Sequence, residues 1–178
     1  MEYEIKPVDK TIEYEYKPVD RSVEYEFKPV DKSIEYEFKP VDRSLWRQCV
    51  DLNVCEAQRG FVATNAYSLA QAAYEPTTYP FAICRNGEVV GFIMYDYDDE
   101  NDMWEMCRLM VDSKFQGQGA GSAAVKWLLG RVAAEQGHIK FYTSAEPNNE
   151  VAIKLYEKMG FRLTGEVVYG EVQMEIQL

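Results

Sequence analysis

A run of small residues lies between an apolar segment and a helix-like segment in the second half of the chain. Its members are Gln116, Gly117, Gln118, Gly119, Ala120, Gly121 and Ser122. Small residues at a strand-to-helix turn let backbone N–H groups approach an anion closely, and the helix N-terminus adds a positive dipole end. The run therefore indicates either a phosphate-binding loop or a tight turn that holds no ligand.

Two common nucleotide-binding loops do not match this run. A P-loop requires Gly-Lys followed by Ser or Thr at the start of the helix, and that sequence is absent. The spacing of Gly117, Gly119 and Gly121 also differs from G-x-G-x-x-G, and no parallel βαβ unit precedes it. A phosphate ligand here would belong to another class of protein.

The elements around the loop follow from residue patterns. The apolar run 103–112 predicts a buried strand before the loop, and an amphipathic helix after it carries Val125, Leu128, Leu129 and Val132 on one face. Asn86-Gly87 predicts a hairpin turn between runs 80–85 and 88–97. We expect the acidic stretch 96–102 to be a loop.

The remaining segments complete one layered domain. A helix is predicted from Leu45 through 58, capped by Asp42 or Ser44, with a short helix at 67–74. Later segments predict a strand at 139–146, a helix from Asn149 to Gly160, and a hairpin of 161–168 with 171–178. The order β-α-α-β-β-β-α-β-α-β-β predicts an α/β or α+β domain with one core.

The chain begins with four near-copies of an 11-residue segment, the last of which is IEYEFKPVDRS at 34–44. Alternating aromatic and charged residues favour a strand in each copy, and the proline in each copy rules out a helical supercoil. We expect the fourth copy to supply the first strand of a domain at 34–178. The copies at 1–33 would be extra strand-like repeats.

Composition limits the classes of function. The chain has 178 residues, 19 Lys and Arg against 30 Asp and Glu, and a net charge of −11. Acidity argues against nucleic-acid binding and either attracts a cationic substrate or aids solubility. Without a membrane-length apolar run or a signal segment, we expect a cytoplasmic protein that binds no membrane. Four scattered cysteines and one histidine predict no metal site.

Two motifs in this order resemble the GNAT superfamily of acetyl-CoA-dependent N-acetyltransferases. The first, R-L-M-V-D-x-x-F-Q-G-x-G-x-G, covers 108–121, and the second is Asn149-x-x-Ala152-x-x-Leu155-Tyr156-x-x-x-Gly160-Phe161. The resemblance spans roughly 34–178, and the segment 144–178 is similar to bacterial spermine/spermidine acetyltransferases. It implies a GNAT fold, in which a mostly antiparallel, splayed central sheet is flanked by helices.

The resemblance also implies a place for acetyl-CoA, the expected co-substrate. Backbone groups at Leu109 and Val111 would pair with the pantetheine arm, and the loop 116–122 would bind the pyrophosphate. Asn149 would contact the same arm, although an asparagine here also fits a plain helix cap.

Two further roles come from the resemblance. Tyr156 aligns with the family tyrosine that protonates the departing thiolate, and its alternative is a core aromatic residue. Glu105 corresponds to the base found in some members, and its alternative is an exposed strand end. Strand alternation predicts that Glu105, Cys107, Leu109 and Val111 share one face.

The acceptor implied by the resemblance is a primary amine of a small polycation such as spermidine or spermine, acetylated by direct attack in a ternary complex. Candidate carboxylates for its groove are Asp96, Asp98, Asp99, Glu100, Asp102, Glu146, Glu166 and Glu171. Arg108 either pairs with these acids or forms a structural ion pair. A homodimer is possible on this interpretation.

Cys107 departs from the acid that polyamine-type relatives carry at its position. The departure keeps open another amine acceptor, such as an amino acid, an antibiotic or a protein N-terminus. A nucleophilic Cys107 is disfavoured because no histidine lies near it in the sequence. A third possibility is an interaction protein in which the repeats bind a partner and the acetyltransferase fold is vestigial.

Overall fold

A computed structural model describes residues 35–178. The three extra repeat copies predicted at 1–33, together with Ile34, lie outside the described residues. Among residues 35–178, no helix combines the length and the apolar character that crossing a membrane requires.

Strands and helices alternate along the described chain. The strands are β1 Glu37–Pro40, β2 Thr78–Arg85, β3 Glu88–Asp98, β4 Met103–Val111, β5 Lys140–Ala145, β6 Arg162–Val168 and β7 Glu171–Gln177. The helices are α1 Trp46–Val50, α2 Asn65–Tyr74, α3 Ala120–Gln136 and α4 Glu150–Lys158, with a short 3₁₀ turn at Glu56–Gln58.

All of these strands form one sheet in the order β1-β2-β3-β4-β5-β7-β6. Neighbouring strands are antiparallel except β4 and β5, which are parallel. The parallel pairing covers only Trp104–Met106 against Phe141–Thr143, and beyond it the two strands separate. The predicted mixed α/β fold with a mostly antiparallel, splayed sheet is confirmed.

Each face of the sheet buries its own apolar cluster. One cluster contains Val125, Leu128 and Val132 of α3, as the predicted helix face requires, together with Phe141 of β5 and Tyr156 of α4. The opposite cluster lies against α1 and α2. Such burial is the main stabilising contribution to a domain of this size.

The fourth repeat copy supplies β1, as predicted. Its Phe38 ring stacks on Trp127 of α3 at 4.6 Å between centroids, and the strand pairs antiparallel with β2. The Asp42 carboxylate accepts hydrogen bonds from the backbone N–H groups of Ser44 and Leu45 just before α1. Copy four is therefore built into the sheet and into the start of the first helix.

The prediction of one helix over 45–58 is wrong, because α1 ends at Val50. The backbone N–H of Asn53 donates to the Asp112 carboxylate at 2.9 Å, and the Asn53 carbonyl accepts from Ser113 at 2.8 Å. These bonds draw the segment after α1 toward the end of β4. A helix continuing through Asn53 would forfeit them.

The prediction that Glu105, Cys107, Leu109 and Val111 share one face is also wrong. Between the Cα pairs Met94–Arg108 and Asp96–Glu105, β4 advances by one residue more than β3, which is a bulge. As a result Met106 and Leu109 pack with the α3 and α4 cluster, whereas Cys107 and Met110 pack with the opposite one. The bulge turns Glu105 and Leu109 to opposite faces.

Candidate active site

A cleft opens where β4 and β5 separate. At the last paired residues of these two strands, the Thr143 hydroxyl donates a hydrogen bond to the Met106 carbonyl at 3.0 Å. Past this point no described strand pairs with β4 on the β5 side. A cavity of about 390 Å³ occupies the cleft and is lined by Leu109 and Val111 on one wall and by Leu155 and Tyr156 of α4 on the other.

The glycine loop forms the end of this cleft. Of the predicted loop residues, those that line it are Gln116, Gly117, Gly119, Ala120, Gly121 and Ser122. Gly117 and Gly119 have φ of +72° and +94°, which favours glycine, and an added Cβ at Gly117 would meet no atom within 4 Å. The loop therefore presents open backbone immediately before the N-terminus of α3, as an anion-binding turn requires.

Gln118 is not part of the lining of this cleft. Its carbonyl accepts a hydrogen bond from the Tyr36 hydroxyl at 3.0 Å, and its side-chain oxygen accepts from Arg85. Gln118 thus ties the loop to β1 and β2, and we assign it a supporting place. The Gln116 side chain also braces the loop, donating to the Val111 carbonyl at 2.9 Å.

Asn149 fits both of its sequence interpretations. Its side-chain oxygen accepts from the Ala152 N–H at 3.3 Å, which is the bond of a helix cap. The same residue lines the β4–β5 cleft and the cavity next to it.

A second cavity, of about 340 Å³, adjoins the first on the α1 and α2 side of the sheet. The two share the lining residues Phe61, Val62, Leu109, Asn149, Ala152 and Tyr156. Among the carboxylates of the second cavity are Asp98, Glu105 and Glu171. Tyr156 thus lies at the junction between the cleft that ends at the glycine loop and a cavity lined by carboxylates.

The Tyr156 side chain is held in the neutral form. It is 6% exposed, and burial raises the pKa of its hydroxyl to about 12, against a smaller lowering by its hydrogen bond with Thr143. A phenol with this pKa remains protonated throughout the physiological range.

Glu105, in contrast, has a carboxyl group whose pKa lies near neutral pH. Burial, reinforced by the nearby Asp96, Asp98 and Glu171 and opposed by Arg108, raises its pKa to about 7. A carboxyl with a pKa near 7 exchanges a proton readily at neutral pH. No sequence pattern predicts this value, which depends on packing.

Cys107 is a buried, neutral thiol. Burial raises its pKa well above the ordinary value, and the thiol donates to the Met94 carbonyl at 3.4 Å. Only the thiolate is nucleophilic, so this environment argues against a covalent role.

The other acidic candidates separate into three groups. Asp98 and Glu171 line the cavity of Glu105, and Asp102 and Glu166 line a third cavity beside it. None of these three cavities is lined by Asp99, Glu100 or Glu146.

Asp96 was predicted in a loop, and that prediction is wrong. It lies in β3, 8% exposed, with a pKa that burial raises to about 6. The sequence D-Y-D-D-E-N-D at 96–102 resembles a solvated loop, but β3 continues to Asp98 and so includes the first residues of this stretch.

Arg108 makes structural hydrogen bonds. Its guanidinium donates to the Cys107 carbonyl at 2.6 Å and to the side-chain oxygen of Gln71 at 3.3 Å. Arg108 forms no ion pair with a described residue within 4.0 Å. Its charge nevertheless reaches Asp96 and Glu105, whose pKa values it lowers.

Sequence reasoning missed several residues of the site. Lys154 and Lys158 of α4 line the β4–β5 cleft one helical turn apart, a spacing that could have been noticed. Phe61 and Val62 line both cavities from a segment without regular structure, where no pattern predicts placement.

The family model described as Acetyltransferase (GNAT) family matches residues 45–161. The chain belongs to the GNAT acetyltransferase family. Members of this family use acetyl-CoA. The resemblance noted in the two sequence motifs is thereby confirmed.

Individual GNAT relatives agree with this assignment. Spermine/spermidine N(1)-acetyltransferase of Bacillus subtilis is 31% identical over 137 residues, covering 72% of this chain and 90% of the relative. A spermidine N-acetyltransferase from Vibrio cholerae, solved in complex with CoA and spermine, superposes with a TM-score of 0.65 at 16% identity, covering 80% of this chain and 95% of that one.

A ribosomal alpha-N-protein acetyltransferase in complex with coenzyme A superposes with a TM-score of 0.62 at 19% identity, covering 83% of this chain and 94% of that one. Identities this low establish the GNAT fold and leave the acceptor open.

Proposed function

We propose that this GNAT acetyltransferase transfers the acetyl group of acetyl-CoA to a primary amine of a small polycation such as spermidine or spermine. The observation that carries the proposal is the junction at Tyr156, where a cleft ending in open backbone N–H groups meets a cavity lined by carboxylates. The first suits a phosphate-bearing donor, and the second suits a cationic acceptor.

The β4–β5 cleft fits the donor. The backbone edge at Leu109 and Val111, which no described strand pairs on this side, offers hydrogen bonds to an amide-bearing arm as an added strand would, with the Val111 carbonyl already accepting one from Gln116. The loop 116–122 and the N-terminus of α3 bind the pyrophosphate, with Lys154 and Lys158 adding positive charge nearby. Asn149 contacts the arm close to Tyr156.

Proton transfer accounts for two side chains of the second cavity, Glu105 and Tyr156. Acetyl-CoA supplies an activated acyl group, and the acceptor must lose a proton because an amine of pKa about 10 is almost wholly protonated at pH 7. Glu105 takes that proton, directly or through a water, as the nitrogen–carbon bond forms. Tyr156 donates its hydroxyl proton to the departing sulfur as the carbon–sulfur bond breaks.

Charge and similarity both favour a polyamine acceptor. Asp98, Glu105 and Glu171 attract ammonium groups to the second cavity, which we call the acceptor cavity. The whole chain has a net charge of −11. The 31% identity to a spermine/spermidine acetyltransferase supports the same class.

Another amine, such as a protein N-terminus, is the second candidate. The observation that favours it is Cys107, a neutral thiol where polyamine-type relatives carry an acid. The acceptor cavity retains other carboxylates, and for that reason we place the polyamine first.

An acceptor panel tests the proposal. With acetyl-CoA and full-length protein, we expect free thiol to be released with spermine and spermidine at a kcat/KM of about 10⁴ M⁻¹s⁻¹ or higher. Amino acids, aminoglycosides and N-terminal peptides should react at least about tenfold more slowly. A preference for any of these would replace the polyamine by that acceptor, and no thiol release with any amine would refute the transferase activity.

Deletion of residues 1–33 separates the enzyme from a repeat-based interaction protein. All the site residues named above lie in 35–178, so we expect kcat and KM of the shortened chain to stay within about twofold of the full-length values. Thiol-release kinetics and light scattering on both proteins check this. Loss of activity or a changed oligomeric state on deletion would favour the interaction role.

A further inference from the structure

A polar trough crosses β5 and β7 on the face of the sheet opposite α3 and α4. Along β7, apolar Val172, Met174 and Ile176 alternate with Glu171, Gln173, Glu175 and Gln177, and Met174 and Ile176 pack with the cluster of α3 and α4. Helices α1 and α2 pack on β2 and β3 rather than on this half of the face. Of the polar residues of β7, Glu171 and Gln173 line cavities on this face.

The trough holds a third cavity, of about 490 Å³, next to the acceptor cavity. The two share four lining residues, which are Asn101, Met103, Val168 and Gln173. Beyond them the third cavity is lined by the carboxylates of Asp102 and Glu166 and by Lys140. The proposed mechanism makes no use of this space.

Gln173 lies where the acceptor cavity meets the third cavity, and its side-chain amide has no hydrogen-bond partner among the described residues. The residue is 8% exposed, and within 35–178 its side chain forms no hydrogen bond, although its backbone carbonyl accepts from Thr164 at 3.3 Å. The amide is not among the enclosed, unsatisfied polar atoms of the described residues, so it is open to the two cavities that the residue lines. An amide that faces a cavity without a protein partner is available to bind a ligand.

We infer that the two cavities form one acceptor groove, in which Gln173 binds an internal amine of a linear triamine or tetraamine. The reacting amine lies between Glu105 and Tyr156, and the far ammonium lies beside Asp102 and Glu166. This inference rests on the proposed function and deepens it, because it restricts the acceptor to polyamines long enough to pass Gln173.

The residues around Gln173, where the acceptor cavity meets the third cavity, match the chemistry of a polyamine. Met103 and Val168 provide apolar contacts for methylene groups, and the Gln173 side-chain oxygen accepts an N–H from a secondary ammonium. The positive charge of Lys140 is held by Glu175 at 2.9 Å, so the balance of charge in the groove remains negative. Charge alternating with methylene units is the pattern of spermidine and spermine.

Substitution Gln173→Leu tests this assignment, with Gln177→Leu as the matched control. Gln177 belongs to the same polar row of β7, lines neither cavity, and donates to the Leu178 carbonyl at 3.2 Å. Removing a hydrogen bond to a charged group should raise KM for spermidine and spermine about tenfold in Gln173→Leu. The KM for 1,3-diaminopropane should change by less than about twofold, and the control should change neither.

Thermal unfolding excludes a general structural effect. Because the Gln173 amide makes no hydrogen bond to a described residue, Gln173→Leu removes no such contact and should unfold at about the same temperature as the wild type while binding polyamines more weakly. A KM that rises equally for diamine and tetraamine, or a KM for spermine that does not change, would overturn the inference.

Direct binding separates this inference from the proposed function. Titration calorimetry of full-length protein with spermine should show binding that weakens about tenfold in Gln173→Leu. That result would support the groove even if no acetyl transfer were detected. Transfer to spermine without any dependence on Gln173 would retain the proposed function and refute the groove.

Discussion

Replacing Glu105 by glutamine is expected to lower kcat for a polyamine about 100-fold or more at pH 7, the usual contribution of a general base. Glutamine keeps the size of the side chain and its place in the second cavity but takes no proton. The acceptor would then react only as its neutral fraction, which is about 10⁻³ at pH 7 for an amine of pKa about 10. Thiol release under saturating acetyl-CoA measures this loss.

The pH profile distinguishes the loss of a base from a loss of shape. Because the pKa of Glu105 is about 7, the wild-type kcat should fall below pH 7 and be level above it. In Glu105→Gln the rate should instead rise about tenfold per pH unit up to about pH 10, following the neutral amine. Two parallel profiles separated by a constant factor would contradict the role as base.

Glu100→Gln is the matched control. It removes the same charge from the neighbouring acidic stretch, but Glu100 lines none of the three cavities. Its kcat and its pH profile should follow those of the wild type. A similar loss in both variants would mean that acidity in general, rather than a positioned carboxylate, supports the reaction.

Glu105→Gln should raise the free energy of unfolding while it lowers the activity. The folded protein holds the Glu105 proton more tightly than the unfolded chain, since its pKa rises from 4.5 to about 7. The folded state thus loses stability as the pH rises through this window, and the cost remains above it. Urea unfolding should show Glu105→Gln about 1–3 kcal/mol more stable than wild type at pH 8, and about equal at pH 4.

Much of the fold follows from local patterns because those patterns agree with the tertiary structure. Asn86-Gly87 forms the predicted hairpin turn, and the glycine loop joins β4 to α3 as the motif requires. The apolar face of α3 and the asparagine cap of α4 are likewise where the sequence places them.

The errors arise where contacts distant in sequence override a local pattern. α1 ends early because Asn53 bonds to Asp112, 59 residues away. The β4 bulge depends on the register with β3, so alternation alone assigned the wrong face to Leu109. The local sequence around Asp96 does not indicate whether its side chain is buried or solvated.

The acceptor side of the site was harder to predict than the donor side for a related reason. The donor loop is a contiguous motif, whereas Gln173 and Gln177 look alike in an alternating strand. Only the packing of neighbouring strands places the Gln173 amide against two cavities. A sequence pattern identifies the face of a side chain but not whether a cavity opens beside it.

Replacing Tyr156 by phenylalanine should lower kcat at least about tenfold, because the departing thiolate then lacks its proton donor. The ring is buried against Phe161, at 5.9 Å between centroids, and phenylalanine preserves that packing. The KM for acetyl-CoA and the unfolding temperature should therefore change little. Stopped-flow thiol release, which isolates the chemical step from product release, is the measurement.

The high pKa of Tyr156 gives this prediction a second readout. A phenol of pKa about 12 remains a proton donor up to pH 10, so the wild type should show no alkaline fall that is due to its ionisation. Solution acid cannot replace it at high pH, and the deficit of Tyr156→Phe should persist or grow between pH 7 and pH 10. Tyr74→Phe, at a position 88% exposed, is the control and should match the wild type. If Tyr156→Phe retained full kcat across this range, the proton would have to reach the sulfur from another donor.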